Sequence, residues 1–220
     1  MFRPRLDILP EPQQRLWPEL AATPAVFTLY GETAIALRLG HRFSVDFDFF
    51  STVPFAPAEL NEALPYLKGG TLRQSAANTL TVSVDRGGPV QLSFFGKLHI
   101  GQVEPTDIVA GPELRVASLI DLSGMKAAVV TQRAEVKDYL DLHALLTVAG
   151  IDLPTMLAAA TVIYAEAFNP LIALKAISYH DDPALTGLSP GVRKDLLKAV
   201  RGVDVHALPR LTAVRERPQP

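Results

Sequence analysis

Two aspartates separated by one residue are the first groups in this sequence that could do chemistry. The stretch Phe43–Phe49 reads FSVDFDF. In a β-strand, residues two apart point to the same face, so Asp46 and Asp48 share one face and the alternating apolar residues, Val45 among them, share the other. The Cα atoms of the two aspartates would lie roughly 7 Å apart, so both carboxylates could reach one or two divalent cations. D-x-D is also common in solvent-facing strands, so the sequence around it must decide between these interpretations.

A glycine turn at Gly31 precedes Asp46 by fifteen residues. Phe27–Tyr30 predicts a strand that ends at Gly31, and residues 33–39 predict a helix that stops at Gly40. Such a turn leaves backbone N–H groups and the positive end of the helix dipole available to a phosphate. Thr33 would either cap the helix or donate its hydroxyl to that phosphate. Alone, this is an ordinary strand–helix turn; followed by a D-x-D strand, it indicates a nucleotide site.

The order of strand, glycine turn, short helix and D-x-D strand matches the minimal nucleotidyltransferase core of the DNA polymerase β superfamily. More closely, residues 29–51, LYGETAIALRLGHRFSVDFDFFS, resemble the signature of the AbiEii/AbiGii toxin family. In that family a glycine-glycine-threonine element leads through a helix to an R-x-S-x-D-x-D strand. The resemblance implies a nucleotidyltransferase that uses an NTP with Mg²⁺ or Mn²⁺. It implies catalytic metal ligands at Asp46 and Asp48, and nucleotide-binding residues at Gly31, Thr33 and Ser44.

A second charged region, residues 121–146, resembles the same family's helix with a lysine followed by a K/R-D-x-x-D-L helix. Four of its residues stand at i, i+7, i+11 and i+15: Lys126, Arg133, Lys137 and Asp141. This spacing predicts one face of a continuous helix, or two helices that meet at a corner if the helix breaks near residues 133–135. By the residues alone, a solvated face with a weak i,i+4 pair between Lys137 and Asp141 explains the pattern equally well.

The resemblance implies catalytic roles for these charged side chains. It assigns nucleotide binding to Lys126 and Arg133, and it implies that Lys126 and Lys137 bind the triphosphate or the leaving pyrophosphate. Asp141 would orient a lysine or assist as a base in catalysis, and Asp138 would do no more than balance charge.

Two positions depart from the family pattern. Glu32 stands where the family has its second glycine, and a carboxylate there would repel a triphosphate. Many polymerase-β-type transferases also carry a third metal-binding carboxylate on a later strand, where this chain offers Gln91 or Ser93. Asp85 lies in the same region, but the turn at Gly87 follows it closely. These departures put full activity in question and leave a nucleotide-binding site as the expectation.

The elements that must position these residues form a strand-rich first half and a helical second half. Strands are predicted over residues 44–50, 79–84, 90–95 and 108–110. Helices are predicted over residues 58–64, from Ser118 onward through an S-x-x-D capping box, and over 154–167, 170–179 and 190–203.

The predicted fold is α+β: a minimal nucleotidyltransferase mixed sheet flanked by helices, followed by a helical C-terminal half. We expect a nucleotidyltransferase-like α/β core over residues 1–105. A helical domain over residues 106–215 would pack on it, and residues 216–220 would form a frayed tail.

Composition excludes several other kinds of site. The chain of 220 residues has no cysteine, which excludes disulfides, thiolate zinc sites and iron–sulfur clusters. Its five histidines are scattered, and its net charge of −2 argues against a strongly basic nucleic-acid-binding domain. The N-terminal residues lack the apolar core of a signal peptide, and glycine, aspartate and proline interrupt the most apolar stretch, residues 144–164. We therefore expect a cytoplasmic protein without a membrane span, and any metal site to be oxygen-rich.

The sequence suggests three candidate functions. The leading hypothesis is metal-dependent transfer of a nucleoside monophosphate from an NTP to an acceptor hydroxyl. The toxin family implies RNA or tRNA as acceptor, a cognate antitoxin as partner, and a toxin–antitoxin or phage-defence system. The alternative is a catalytically impaired nucleotide-binding or regulatory protein that retains the transferase fold. A purely structural partner protein would not explain why Asp46 and Asp48 share one face.

Overall fold

The computed structural model describes residues 1–214, so the tail predicted at 216–220 lies outside the described residues. The strands in this range are β1 (Thr28–Tyr30), β2 (Asp46–Phe50), β3 (Thr71–Ala76), β4 (Thr79–Asp85), β5 (Pro89–Phe95), β6 (Asp107–Ile108) and β7 (Arg115–Val116). The α-helices are α1 (Glu11–Leu16), α2 (Gly31–Leu39), α3 (Pro57–Ala63), α4 (Leu119–Val129), α5 (Val136–Thr147), α6 (Leu153–Tyr164), α7 (Pro170–Ser178) and α8 (Pro190–Arg201).

The strands of the described chain join one mixed sheet in the order β3-β4-β5-β2-β1-β7-β6. β2 runs parallel to β5 and β1 parallel to β7, whereas the other neighbouring strands are antiparallel. This arrangement confirms the predicted α+β class, in which a mixed sheet is followed by a helical half. Among the described residues, no helix has the length and apolar character needed to cross a membrane.

The chain divides into two compact units, one built from residues 1–99 and 106–117, the other from residues 100–105 and from 118 onward. This division differs from the boundary expected after residue 105. Residues 106–117 belong to the first unit because they add β6 and β7 to its sheet, where the N–H of Ala117 donates to the carbonyl of Leu29 at 3.0 Å. Residues 100–105 belong to the second because the Asp121 carboxylate accepts the N–H groups of Val103 and Glu104.

One face of the sheet in the first unit is apolar and buried. Phe47 and Phe49 of β2 lie on this face with no exposed surface. Phe49 stacks on Phe94 of β5, with 4.9 Å between the ring centroids. Val45 is not buried with these phenylalanines, as the predicted alternation would require. It precedes β2, whose pairing with β5 begins at Asp46, and its side chain is half exposed.

In the second unit, α4 packs closely against α6. A Cβ atom at Gly124 of α4 would lie only 2.7 Å from the backbone nitrogen of Ala160, so glycine is needed at this crossing. The predicted capping box is present: the Ser118 hydroxyl accepts the N–H of Asp121 at 2.9 Å. α6 ends at Tyr164, three residues earlier than predicted. The backbone of Ala165 has a φ of +50°, which an α-helix does not continue through.

The charged segment forms two helices, not one continuous helix. α4 ends at Val129 and α5 begins at Val136. Lys126 therefore lies on α4 and Asp141 on α5, while Arg133 lies in the connection between them. Of the two arrangements that the spacing allowed, the structure has the pair of helices.

Candidate functional site

β2 places Asp46 and Asp48 on the face of the sheet opposite its two buried phenylalanines. Both aspartates are partly buried. On the neighbouring strand β5, Gln91 is in register with Asp46, and Ser93 is in register with Asp48. Because residues in register on neighbouring strands point to the same face, the two carboxylates are flanked by uncharged polar side chains.

The strands beside β2 supply no third carboxylate to this face. Ser93 is buried, and its hydroxyl accepts a long hydrogen bond of 3.5 Å from Thr81. Asp85 is engaged in the turn between β4 and β5, where it accepts the N–H groups of Gly87 and Gly88 at 2.8 and 2.9 Å. Within residues 1–214, no group of three or more His, Asp or Glu side chains could hold a metal ion. A cation on this face would therefore need oxygen ligands from substrate or water in addition to the protein's own.

Gly31 brings the turn after β1 directly against Asp48. Its φ is +72°, and a Cβ atom at this position would lie 2.9 Å from Asp48 Oδ2. Both the backbone conformation and the close approach require glycine here. α2 begins at this residue, so the first N–H groups of the helix lie beside one of the two carboxylates. The predicted glycine turn at a helix N-terminus is thus present and in contact with the D-x-D strand.

Thr33 and Ser44 connect α2 to the beginning of β2. Both are buried, and their hydroxyl oxygens lie 2.7 Å apart. The Thr33 hydroxyl also donates to the backbone carbonyl of Asp46. Thr33 does not cap α2, because Tyr30 occupies the N-cap and makes no side-chain hydrogen bond there. The hydroxyl predicted to bind phosphate is thus donated to the backbone of Asp46, whose position it helps to set.

Glu32, the residue that replaces the family's second glycine, forms an ion pair. Its Oε2 lies 2.9 Å from Nη2 of Arg42, and the two side chains are only 20% and 15% exposed. Arg42 also donates to the carbonyl of Phe43 at 3.0 Å. The carboxylate expected to repel a triphosphate is therefore compensated by a guanidinium from the loop that precedes β2.

Lys126 lies in the second unit as the centre of a buried charge cluster. Its Nζ lies 2.7 Å from Oδ1 of Asp138 and 2.8 Å from Oδ2 of Asp141. The lysine side chain is 5% exposed, and neither carboxylate is exposed at all. The structure thus gives Lys126 two carboxylate partners, and one of them, Asp141, contacts a lysine as its predicted orienting role requires; that role itself stays a prediction.

Asp138 does more than balance charge, because it also binds the connection between the helices. Its Oδ2 accepts a hydrogen bond from Nε of Arg133 at 2.8 Å. Burial raises the pKa of Asp138. This increase is outweighed by the hydrogen bond from Arg133 and by the positive charge and hydrogen bond of Lys126, all of which lower the pKa. The pKa of Asp138 therefore lies below its usual value.

The remaining predicted cations of the second unit are accessible to solvent. The Arg133 and Lys137 side chains are 45% and 43% exposed. Both contact Glu135, at 3.3 Å in each case. Lys126, by contrast, is buried with its Nζ against the Asp141 carboxylate.

The nine predicted site residues are divided between the two units. The first unit holds Gly31, Thr33, Ser44, Asp46 and Asp48, and the second holds Lys126, Arg133, Lys137 and Asp141. The sequence did not single out Arg42 as the partner of Glu32, although Arg42 is the arginine of the R-x-S-x-D-x-D motif. Its partner lies ten residues earlier, across α2, and no periodicity connects the two positions.

Comparisons with known proteins show what this chain is similar to in sequence and in fold. The chain is 31% identical over 135 residues to an uncharacterized protein of Aquifex aeolicus (strain VF5), in a match that covers 58% of this chain and 61% of that protein. The fold is similar to a putative nucleotidyltransferase from H. pylori, with a TM-score of 0.55 and 17% identity over 87% of this chain and 91% of that one. It is also similar to MenT4, a nucleotidyltransferase toxin of Mycobacterium tuberculosis H37Rv, with a TM-score of 0.60 and 17% identity over 88% and 83% of the chains.

The two solved structures show the likeness of fold, and a family profile shows the membership. The profile described as nucleotidyl transferase AbiEii toxin, type IV TA system, matches residues 19–210 and so spans both units. The motifs at residues 29–51 and 121–146 both lie inside this match, in agreement with the resemblance noted from the sequence. The protein belongs to the AbiEii nucleotidyl transferase toxin family of type IV toxin–antitoxin systems.

Proposed function

We propose that this protein transfers a nucleoside monophosphate from an NTP to a hydroxyl group of an acceptor. The observation that carries the proposal is the contact between the Gly31 turn and Asp48 on the polar face of β2. Exposed N–H groups at a helix N-terminus bind phosphate, and paired carboxylates bind the divalent cation that accompanies it. Family membership supports the same reaction class.

The donor set on β2 fits Mg²⁺ or Mn²⁺ shared with a substrate. Asp46 and Asp48 offer hard oxygen ligands, and no cysteine is present to favour a softer metal. Two carboxylates are sufficient for an ion that keeps several waters and binds substrate phosphates. When bound, the metal would neutralise phosphate charge and favour in-line displacement of pyrophosphate.

In this proposal the first unit orients the reacting phosphate. The backbone N–H groups that follow Gly31 bind phosphate oxygens, and Asp48 lies beside them. The Thr33 hydroxyl and Ser44 hold the backbone of Asp46, so they fix one carboxylate relative to the other. Asp46 and Asp48 are the catalytic carboxylates, and Thr33 and Ser44 are positioning residues.

Two cationic side chains of the second unit are further candidates for binding phosphate. Arg133 and Lys137 have exposed side chains that a phosphate or pyrophosphate in solvent can reach. Lys126 is held by Asp138 and Asp141, so it fixes α5 and its charges relative to α4. Asp141 orients this lysine.

The acceptor and partner follow from the family and not from the geometry. We propose an RNA end, such as that of a tRNA, as the acceptor and a cognate antitoxin as the partner. A toxin–antitoxin or phage-defence system is the corresponding biological setting.

Incubation with labelled NTPs, Mg²⁺ and total RNA tests this function. Wild-type protein is expected to incorporate label, and the Asp46→Asn/Asp48→Asn variant is expected to lose more than about 99% of it, because amides do not replace the metal-binding charges. Glu62→Gln, which changes an exposed carboxylate on α3 to the amide, is the matched control and should behave as wild type.

Nucleotide binding without incorporation, across all four NTPs and several acceptors, would contradict the transfer reaction. That result would favour the alternative of a nucleotide-binding or regulatory protein. This alternative is supported by the uncharged side chains of Ser93 and Gln91, which lie beside the two aspartates where a third carboxylate would be expected.

A further inference from the structure

The ion pair between Glu32 and Arg42 lies at the turn proposed to bind phosphate. Glu32 is the second residue of α2 and follows Gly31, which contacts Asp48. A carboxylate in the first turn of a helix is favoured by the helix dipole, as a bound phosphate would be. Glu32 therefore places the protein's own negative charge beside the N–H groups where the substrate's charge is expected.

The loop that carries Arg42 is anchored to the same cluster. It begins after Gly40, which ends α2 with a φ of +65°, and it leads through Ser44 to Asp46. The hydrogen bond between Ser44 and Thr33 holds this loop on α2. Arg42 is thus fixed near the beginning of β2, and only 15% of its side chain is exposed.

We propose that Arg42 is a phosphate-binding residue of the nucleotide site, and that Glu32 occupies its guanidinium as an internal substitute for phosphate when no nucleotide is bound. This inference rests on the proposed function, because it concerns the same turn and the same substrate. Glu32 then weakens nucleotide binding, and Arg42 strengthens it.

The chemistry of the two anions supports an exchange of partners. A guanidinium binds carboxylates and phosphates through the same planar arrangement of N–H donors. A terminal phosphate carries up to two negative charges and three acceptor oxygens, against one charge and two oxygens for Glu32. A triphosphate at the Gly31 turn can therefore compete for Arg42, but it must displace a partly buried carboxylate to do so.

Titration of the purified full-length chain with Mg·ATP tests the inference by measuring Kd. Glu32→Gln keeps the size of the side chain and removes its charge, so we expect Kd to fall about fivefold. Arg42→Gln is expected to raise Kd about tenfold or more, and Arg42→Lys to lie between wild type and Arg42→Gln, since a lysine offers a point charge without the planar donors. The gain in Glu32→Gln should be larger for ATP than for AMP.

A second ion pair of the first unit provides the control. Glu19 and Arg86 form a pair at 2.6 Å between the segment after α1 and the turn between β4 and β5. Glu19→Gln should leave Kd for Mg·ATP unchanged. Thermal unfolding of every variant shows whether an altered Kd reflects loss of folded protein.

The outcomes separate this inference from the proposed function. A Kd that is unchanged or raised in Glu32→Gln, in folded protein, overturns the inference whether or not label is transferred. Absence of binding in both wild type and Glu32→Gln overturns it as well. Tighter binding by Glu32→Gln without any label incorporation would support the inference and contradict the transfer reaction.

Discussion

The position of Gly31 shows how a single residue sets the geometry of the site. A side chain there meets two obstacles, a φ of +72° and the Asp48 carboxylate 2.9 Å from its Cβ. Gly31→Ala is expected to lower the free energy of unfolding by about 1–3 kcal/mol and to abolish label incorporation, because Asp48 must move. Chemical denaturation and the incorporation assay measure the two effects.

Gly69 provides a matched control for this substitution. It has a similar φ of +75°, but nothing lies within 4 Å of a Cβ built there. Gly69→Ala should therefore share the backbone strain and keep its activity. Equal loss of activity in both variants would show that backbone strain, and not the approach to Asp48, explains the effect.

The buried carboxylate of Asp138 predicts a dependence of stability on pH. Its pKa is lowered in the folded state, so its contribution is fully present above the unfolded pKa of about 3.9 and is lost as pH falls through the lower folded value. Asp138→Asn is expected to destabilise the protein by about 3 kcal/mol at neutral pH, because Lys126 and Arg133 each lose a charged partner. This difference from wild type should shrink below about pH 4.

Denaturant unfolding at several pH values measures this difference. Glu166→Gln is the control, since Glu166 is an exposed carboxylate of the same unit. A difference between wild type and Asp138→Asn that stays constant down to about pH 2 would contradict the assigned ionisation of Asp138.

At the scale of the elements, Ser118 caps the N-terminus of α4. The Ser118 hydroxyl accepts the N–H of Asp121 and donates to its carboxylate at 2.6 Å. Ser118→Ala is expected to lower the free energy of unfolding by about 1–2 kcal/mol, since it removes the cap and one donor to a buried carboxylate. Ser189→Ala, at the exposed N-cap of α8, should lose less, because its hydrogen bond is longer at 3.3 Å and the hydroxyl makes no bond to a carboxylate. Equal losses in the two variants would contradict this account.

Elements with a strong local pattern could be predicted from the sequence, and elements that depend on distant partners could not. The alternating runs of β4 and β5, the Ser118 capping box and the prolines in the first turns of the later helices could all be recognised from local sequence. β3 was missed because all six of its residues are exposed, so no alternation of apolar residues marks it. β6 and β7 have two residues each, and β6 overlaps the strand predicted over residues 108–110 only at Ile108. β7 was missed because two residues carry no pattern, and it is a strand only through its pairing with β1 and β6.

At the scale of the whole molecule, the chain crosses between its two units more than once. Residues 106–117 return to the first unit and place Val116 in register with Leu29. A fragment of residues 1–117 is therefore expected to unfold cooperatively on heating. A fragment of residues 1–105, which ends at the expected domain boundary, lacks β7, one of the two neighbours of β1. It should unfold at least about 5 °C lower or without a cooperative transition. Circular dichroism measures both transitions, and equal melting temperatures would contradict the assignment of residues 106–117 to the sheet.

The sequence by itself determined the D-x-D face, the glycine turn before it, the family and the Ser118 cap. Each of these is carried by one continuous stretch of sequence, in which residue order and local backbone geometry decide the pattern. Only the tertiary structure decided the partners of the charged groups: Arg42 for Glu32, and two buried carboxylates for Lys126. These partners lie ten or more residues apart in the sequence. Loops and helix breaks between them decide whether their side chains meet, and no repeating pattern in the sequence predicts that contact.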